Sequence, residues 1–195
     1  MNRDAEASDD ELARRAAAGD DRAFAELVRR HKEGLYRLLR RYTGDPDDAY
    51  EAAHEAFIAA WAALGRYDPS RPFGAWLRTI AINKARDRGR RALVRRLLFG
   101  TRPLEDTEAM DIADPAASAD HDLMVRQRRQ KLDRAIATLP PQLKESLLLT
   151  AFDGLSQQEA AEILGVSAKT IETRVYRARK LLAERLDADL RLSVG

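Results

Sequence analysis

The chain has 195 residues, of which 45% are hydrophobic and 34% are charged, a composition typical of a soluble globular protein with one or two domains. It contains no cysteine, which excludes disulfides, a thiol nucleophile and a cysteine-based zinc site. No apolar run approaches the ~18 residues of a membrane span, and the acidic stretch 1–11 lacks the apolar segment of a signal peptide. We therefore expect a cytoplasmic protein without membrane insertion.

The net charge of +2 conceals a strong segregation of charge along the chain. The stretch 78–102 contains one acid, Asp87, and nine cations: Arg78, Lys84, Arg86, Arg88, Arg90, Arg91, Arg95, Arg96 and Arg102. The stretch 103–125 contains no Lys or Arg and seven acids: Glu105, Asp106, Glu108, Asp111, Asp114, Asp120 and Asp122. Such dense charge blocks usually mark an interaction surface or a tail. With a basic helix near the C-terminus, they suggest contact with nucleic acid at two places.

The first hundred residues predict helices. Residues 1–19 look like a frayed leader that contains one short helix, roughly 9–18, before Gly19. A long helix capped by Asp20 or Asp21 follows, and Gly44-Asp45-Pro46 ends it. A second helix starts near Asp47 and Asp48, whose charges favour a helix N-terminus. Its predicted buried face consists of Ala49, Ala53, Ala56, Phe57, Ala60, Trp61 and Leu64.

A loop over 65–72 leads to a third helix, from about Phe73 to Arg91 or beyond. The stretch 99–125 has little periodicity and reads as an extended linker, which argues for two domains because so long a loop is unusual inside one. Helix returns near Asp122 and runs to about Thr138, and Leu139-Pro140-Pro141 starts another that stops at Asp153-Gly154. No strand is predicted, so the fold class is all-α, with two small helical domains.

The stretch 155–179 reads as two helices joined by a tight turn. Ser156 and Glu159 form a capping box, in which each side chain satisfies the other residue's backbone N–H. Gly165 supplies the left-handed residue after Leu164, and Ser167 caps the second helix. A short helix, a glycine turn and a second helix make up a helix-turn-helix pattern.

The second of these helices divides into two faces at about 100° per residue. Ile171, Val175, Ala178 and Leu182 fall on the face predicted to be buried. The opposite face carries cationic, hydroxylic and aromatic side chains that suit phosphates and major-groove base edges: Lys169, Thr173, Tyr176, Arg177 and Lys180. The alternative is a solvated basic face on a core helix.

Three ordered stretches, 47–61, 73–83 and 139–167, now agree with one family. They resemble the second-helix signature, the third-helix signature and the C-terminal domain of a bacterial RNA polymerase sigma factor of the extracytoplasmic-function (ECF) group, in the sigma-70 superfamily. The match covers nearly the whole chain after residue 20. His54 departs from the expected glutamine, and Glu172 stands where the family often has a cation, so the recognised −35 sequence is expected to be unusual.

The resemblance implies an N-terminal leader (1–19), sigma region 2 (20–98), an acidic linker (99–125) and sigma region 4 (126–190). Region 2 would bind core polymerase and open the promoter at the −10 element, and region 4 would sit on the polymerase and read the −35 element. The linker would thread toward the active-site and RNA-exit channels. Its acids would mimic nucleic acid there, or else form a solvated spacer.

By family position, Tyr67 and Asn83 would hold the base that is flipped out at the −10 element. Extrusion of a base costs a few kcal/mol, of which stacking on an aromatic ring returns ~1–3 kcal/mol. Phosphates of the opened DNA would be neutralised by Lys84, Arg86, Arg88, Arg90 and Arg91, with an affinity that falls steeply with salt. The alternatives are a packing role for Tyr67 and a merely solvated Asn83.

Two further surfaces follow from the resemblance. Core polymerase would contact Asp47, Asp48, Glu51, His54, Glu55 and Ile58, whose alternative is a solvated acidic face. The −35 element would contact Lys169, Thr170, Glu172, Thr173, Arg174, Tyr176, Arg177 and Lys180. Arg177 would take a guanine bidentately, a contact worth ~1–3 kcal/mol of discrimination. An anti-sigma factor is a further expected partner.

Two other functions remain open at this point: a plain helix-turn-helix regulator, and a sigma-like decoy that binds an anti-sigma protein without touching DNA. A decoy should lack basic readers, yet Arg174, Arg177, Arg179 and Lys180 are present. An enzyme is the weakest reading, because His31, His54 and His121 lie far apart without a metal-ligand or triad motif. No cofactor, metal or small-molecule substrate is predicted.

Overall fold

The computed structural model describes residues 6–99, 128 and 130–192, and all regular structure in that part of the chain is helical. The all-α prediction is therefore confirmed. The acidic stretch 103–125, which includes His121, lies outside the described residues, as do positions 1–5, 100–102, 126, 127, 129 and 193–195.

The N-terminal half is built from α1 (Asp9–Ala17), α2 (Asp21–Thr43), α3 (Pro46–Ala63), a 3₁₀ turn (Leu64–Arg66) and α4 (Phe73–Phe99). Asp20 is the N-cap of α2 and accepts from the backbone N–H groups of Arg22 and Ala23. Gly44, with φ +79°, ends α2 in the left-handed region, and the Asp45 side chain then caps α3. Chemistry at single residues thus sets these boundaries: Asp20 is one of the two caps predicted for α2, whereas α3 begins at Pro46 with Asp45 as its cap, slightly before the predicted start near Asp47.

Small residues line the centre of this bundle. Every alanine on the inner face of α3 is buried (Ala49, Ala52, Ala53, Ala56 and Ala60), so α2 and α4 can both approach α3 closely. The predicted burial of Trp61 is wrong: its side chain is 41% exposed, and one side of its ring packs on Phe24 at 4.8 Å between centroids.

Helix α1 is confirmed at the predicted position, but it is not frayed. Leu12, Ala13 and Ala16 are buried against the bundle. Asp9 accepts from Arg30 at 2.9 Å and lies 2.6 Å from His31 Nε2, which ties the start of α1 to α2. Periodicity over so short a segment could not show that it has a neighbour to pack on.

The C-terminal half contains α5 (130–137), α6 (Pro141–Leu147) with a π-helical continuation (Leu148–Phe152), α7 (Gln157–Leu164) and α8 (Ala168–Leu192). As predicted, the proline lies in the first turn of α6, and the helix stops at Asp153 and Gly154. The described parts of the two halves contact each other, α4 against α7 and α2 against the π turn.

Helix α8 has the two faces that its sequence predicts. Ile171, Val175, Ala178 and Leu182 are all buried, whereas Tyr176 is 69% exposed. We expect Ile171→Ala to destabilise the protein by about 2–5 kcal/mol, because it leaves a cavity in a packed core. Tyr176→Ala, on the same helix, should change stability by less than about 0.5 kcal/mol.

Urea unfolding followed by circular dichroism measures both effects. Equal destabilisation by the two variants would contradict the assignment of the faces.

Candidate nucleic-acid interface

The helix-turn-helix has the predicted caps. The backbone N–H of Glu159 donates to Ser156 Oγ at 3.2 Å, and the Ser156 N–H donates to the Glu159 carboxylate at 2.8 Å. Hydrogen bonding of the Glu159 carboxyl to Ser156, first to its side chain and then to its backbone N–H, lowers the pKa of Glu159. Gly165, with φ +66°, makes the turn, and Ser167 caps α8 through the Thr170 N–H. The turn therefore fixes α8 relative to α7 through local bonds.

The eight predicted −35 contacts on α8 differ in exposure. Lys169, Glu172, Thr173, Tyr176, Arg177 and Lys180 are exposed, and Thr170 and Arg174 are half-buried. Lys169 pairs with Glu172 at 2.8 Å, and its positive charge partly neutralises this acid, which stands where the sigma factors that the chain resembles often have a cation. Such an exposed pair is worth only about 0.2–0.5 kcal/mol, so DNA phosphate can replace its acidic partner at little cost.

Arg174 is bonded within the protein, to a residue of α6. Its guanidinium donates to the Gln142 side chain at 3.2 Å and lines a cleft of about 750 Å³ between the two halves. The neighbouring Arg177 is exposed. Of the two arginines, Arg177 is therefore the more accessible from outside the protein.

Tyr67 is held in a cluster of aromatic rings at the start of α4. Its ring lies 5.8 Å from that of Phe73 and 5.1 Å from that of Trp76, between centroids. Its hydroxyl contacts Asp10 at 2.8 Å and the Arg71 carbonyl at 2.7 Å. Burial, and then the bond to Asp10, raise its pKa, so the phenol stays protonated. The ring is half-buried, so part of it remains available for stacking.

Asn83 lies elsewhere on α4 from the ring cluster. It comes ten positions after Phe73, a distance of about 15 Å along a helix, and its side chain is exposed. Its amide oxygen accepts from Arg86 at 3.2 Å. Among the described residues, no hydrogen bond joins Tyr67 and Asn83.

The predicted phosphate-binding cations of α4 are largely paired within the protein. Arg88 contacts three carboxylates, those of Asp48 at 2.8 Å, Glu55 at 3.0 Å and Glu51 at 3.4 Å. These bonds, chiefly that to Asp48, raise its pKa. Arg90 pairs with Asp87 on the helix surface. Lys84 is half-buried and Arg91 is exposed.

The predicted polymerase-binding face of α3 combines acids with exposed apolar side chains. Asp47, Asp48, Glu51 and His54 are exposed, and Glu55 is half-buried. Ile58 is 56% exposed, and Tyr50, which the sequence analysis did not single out, is 68% exposed. Large apolar side chains on a charged helix face are typical of a surface that another protein covers.

A buried carboxylate joins the two halves. The Glu145 side chain is fully buried and accepts two bonds from the Arg86 guanidinium, at 2.7 and 2.5 Å, and one from the Tyr42 hydroxyl at 3.1 Å. The bond to Glu145 is the main cause of the raised pKa of Arg86. A predicted DNA contact is thereby occupied by the protein itself.

Lys144 adds to this contact from the same helix. Its ammonium donates to the backbone carbonyls of Tyr42 at 2.9 Å and Ala137 at 2.6 Å, and it lies over the Tyr42 ring. Burial lowers the pKa of Lys144 to about 8.

A second ion pair, Arg78 with Asp153 at 2.6 Å, joins the halves at another point. Close to it, the Arg41 guanidinium covers the Phe152 ring at 4.7 Å.

The sequence analysis missed this inter-half contact, although one signal was present. Residues four positions apart lie on the same face of a helix. Lys144 therefore shares a face with Leu148, and Glu145 shares a face with Leu149, so both charged residues lie on faces of the helix that also carry leucines. A helix that is apolar on all sides must be surrounded by neighbours. The identity of those neighbours is not local information, since Tyr42 and Glu145 are 103 positions apart.

Within residues 6–99 and 130–192, no group of three or more His, Asp or Glu side chains is arranged to hold a metal ion. The same part of the chain has no helix long and apolar enough to cross a membrane.

Comparison with known proteins gives two family matches and several full-length relatives. Residues 27–95 match sigma-70 region 2, and residues 129–182 match sigma-70 region 4. The sigma factor CnrH of Cupriavidus metallidurans is 40% identical over 179 residues, which cover 91% of this chain and 94% of that protein. The ECF sigma factor SigM of Mycobacterium tuberculosis is 33% identical over 93% of this chain and 86% of its own length.

Solved structures agree with these matches. The structure of CnrH in complex with the cytosolic domain of CnrY has a TM-score of 0.68 and 34% identity, covering 94% of this chain and 99% of that one. The sigma factor RpoE of Bartonella quintana, solved in complex with the anti-sigma factor NepR, has a TM-score of 0.64 and 25% identity, covering 85% of this chain and 98% of that one. The chain thus belongs to the sigma-70 family, as an ECF sigma factor that directs RNA polymerase to promoters.

Proposed function

We propose that the exposed face of α8 reads the −35 element, and the observation that carries this proposal is the separation of its two faces. Ile171 and Val175 anchor the helix, while Tyr176 and Arg177 project on the other side. A planar guanidinium on such a face can donate two bonds to one guanine. Lys169, Thr170, Thr173 and Lys180 supply phosphate contacts around it.

The −10 element is opened on α4 and the loop before it. The half-buried ring of Tyr67 offers a stacking surface, and the exposed amide of Asn83 offers hydrogen bonds to a base edge. Both side chains can contact one base without touching each other, so we assign both to the base that is flipped out. Lys84 and Arg91 bind phosphates at once, Arg90 exchanges its surface partner Asp87 for a phosphate, and Arg86 and Arg88 first leave the carboxylates of Glu145 and of α3.

Core polymerase docks on the outer face of α3. Ile58 and Tyr50 supply apolar contact, and Asp47, Glu51 and His54 surround them with polar groups. An apolar centre with a polar rim is the usual anatomy of a protein interface. The solved relatives were captured with protein partners, one of them a named anti-sigma factor, and we assign this chain an anti-sigma partner as well. The protein works by binding rather than catalysis, in the cytoplasm.

Promoter geometry requires the two halves to separate. Elements centred at −10 and −35 are about 25 base pairs apart, or about 85 Å at about 3.4 Å per base pair. A compact chain of this length has a radius of gyration of about 16 Å and therefore spans only about 40 Å. The state held together by Glu145 and Arg86 is accordingly the one that precedes promoter binding.

The test of function is binding to bacterial core RNA polymerase, followed by run-off transcription from a pool of genomic fragments. Failure to bind core with DNA binding intact would favour a plain regulator. Loss of both activities would favour a decoy that binds only an anti-sigma protein.

Two variants separate the surfaces. Ile58→Ala should weaken core binding about tenfold, because it removes an apolar anchor. Arg177→Ala should leave core binding unchanged and reduce −35-dependent transcription about 10- to 100-fold, since a bidentate base contact is worth about 1–3 kcal/mol. Glu184→Ala, an exposed change far along α8, is the control for both. The opposite pattern would contradict the assignment of the two surfaces.

Arg86→Ala should open the protein. It leaves the Glu145 carboxylate buried with Tyr42 alone, and loss of one partner of a buried pair costs about 3–5 kcal/mol. The halves can avoid that cost by separating, which exposes the carboxylate to water. The control is Arg90→Ala, which removes a cation from the surface of the same helix.

Because the chain has no cysteine, dyes on cysteines introduced at the exposed positions Tyr50 and Glu162 report the separation by energy transfer. Energy transfer should fall for Arg86→Ala and stay at the wild-type value for Arg90→Ala. Unchanged transfer in Arg86→Ala would show that Glu145 does not hold the halves together.

The contact between the halves should strengthen between about pH 8 and pH 9.5. Lys144 has a pKa near 8 in the closed state but an ordinary pKa of about 10.5 when solvated, so the open or unfolded state binds more protons in this range. Stability therefore rises with pH there, by up to about 1–2 kcal/mol. Above about pH 10 the raised pKa of Tyr42 acts in the opposite direction, because its phenol ionises more readily once it is exposed.

Urea unfolding at pH 8.0 and pH 9.5 measures this rise, with Lys144→Met as the comparison. Glu145 and Arg86 face the same site and remain in both proteins, so the difference in slope reports Lys144 alone. Equal slopes would contradict the effect.

A further inference from the structure

We propose that Asp10, on helix α1, is a positioning residue for promoter opening: it holds Tyr67 and the start of α4 in the arrangement that receives the opened strand. This inference rests on the proposed role of Tyr67 at the −10 element. Helix α1 precedes the segment 27–95 that matches sigma-70 region 2, so neither family match assigns it a role.

Helix α1 is a fixed support for this task. The residues on either side of its N-cap, Ser8, are bonded to α2: the Ala7 carbonyl accepts from Arg30 at 2.7 Å, and Asp9 accepts from the same arginine at 2.9 Å. Ser8 caps the helix through the Glu11 N–H, and Leu12 is fully buried below. A side chain at position 10 therefore projects from a rigid base.

Asp10 bonds two groups that belong to the −10 region. One of its oxygens accepts from the Tyr67 hydroxyl at 2.8 Å and, in a longer contact of 3.4 Å, from the backbone N–H of Phe73. The Phe73 N–H is the first of α4 and has no partner within the helix. A carboxylate is favoured there by the helix dipole as well. Asp10 thus caps α4 from a different helix while it holds the tyrosine.

The Tyr67 hydroxyl carries one proton and lies between two acceptors, Asp10 and the Arg71 carbonyl. It can donate to only one of them at a time. The bond to an ionised carboxylate is the stronger, so Asp10 determines how the ring is oriented. Without Asp10 the hydroxyl turns to Arg71 in its own loop, and the loop loses its bond to the rest of the bundle.

A stacking surface works best when it is held in place before the base arrives. Groups that act on a ligand need to be fixed to within about 0.5 Å by their supporting shell, because otherwise binding must also order the site. Phe73 and Trp76 support the Tyr67 ring from one side, and Asp10 holds its polar end. Loss of Asp10 should therefore reduce promoter opening, while the surfaces on α3 and α8 are unaffected.

The test compares Asp10→Ala with Glu11→Ala, a change of the exposed neighbouring acid, in holoenzyme assembled on core polymerase. The readouts are permanganate reactivity of unpaired thymines at the −10 element, the affinity for core, and formation of the closed complex. Asp10→Ala should reduce thymine reactivity about tenfold with core affinity and closed complex unchanged, and Glu11→Ala should match the wild type. Wild-type reactivity in Asp10→Ala would overturn the inference.

Tyr67→Phe tests the same hydrogen bond from its other end and keeps the ring. It should reproduce most of the defect of Asp10→Ala, and the double variant should be no worse than Asp10→Ala alone, because Asp10→Ala already removes the bond that Tyr67→Phe removes. Additive defects would overturn a shared role. If Asp10→Ala loses helicity by circular dichroism, Tyr67→Phe carries the test, and wild-type opening by that variant overturns the inference.

Tyr67→Ala separates this inference from the function on which it rests. Normal opening by Tyr67→Ala would refute the −10 role of Tyr67, and the role of Asp10 with it. Defective opening by Tyr67→Ala beside normal opening by Asp10→Ala and Tyr67→Phe would leave the role of Tyr67 intact and overturn that of Asp10 alone.

Discussion

A carboxylate removed from water dominates the architecture of this sigma factor. Glu145 is fully buried, and an unpaired charge in such a place would cost several kcal/mol, so Arg86 and Tyr42 must stay beside it as long as the halves touch. A buried ion pair contributes little net stability compared with an apolar contact of the same shape, but it is highly specific in geometry. The contact therefore defines one closed arrangement and remains separable when water and other partners become available.

Internal pairing of charges reduces the number of unpaired cations that the basic block of α4 presents to nucleic acid. Arg86 is engaged by Glu145, and Arg88 by three acids of α3. When Arg86 or Arg88 exchanges its carboxylate for a DNA phosphate, one charge-assisted bond replaces another. The free energy gained from binding DNA is then only the difference between the two bonds. The acids of α3 are linked in this way to the cations of α4, which connects the proposed polymerase surface with the proposed DNA surface.

Much of the fold could be predicted from the sequence because its determinants are local. Asp20, Asp45 and Ser156 each cap a helix through bonds to residues two or three positions away, and the four-residue apolar stripe of α8 follows from 3.6-residue periodicity. The helix-turn-helix and the exposure of Tyr176 and Arg177 could be predicted for the same reason. The family resemblance could likewise be recognised from motifs that are continuous in the chain.

The sequence by itself therefore determined the helices, their caps and the faces that they bury. Only the tertiary structure decided which charges meet. The carboxylate beside Arg86 comes from a residue 59 positions away, and the one beside the Tyr67 hydroxyl from a residue 57 positions away. Periodicity and capping act over one or two turns of a helix, whereas these contacts depend on how whole helices pack, and no local pattern specifies which partner lies opposite a given side chain.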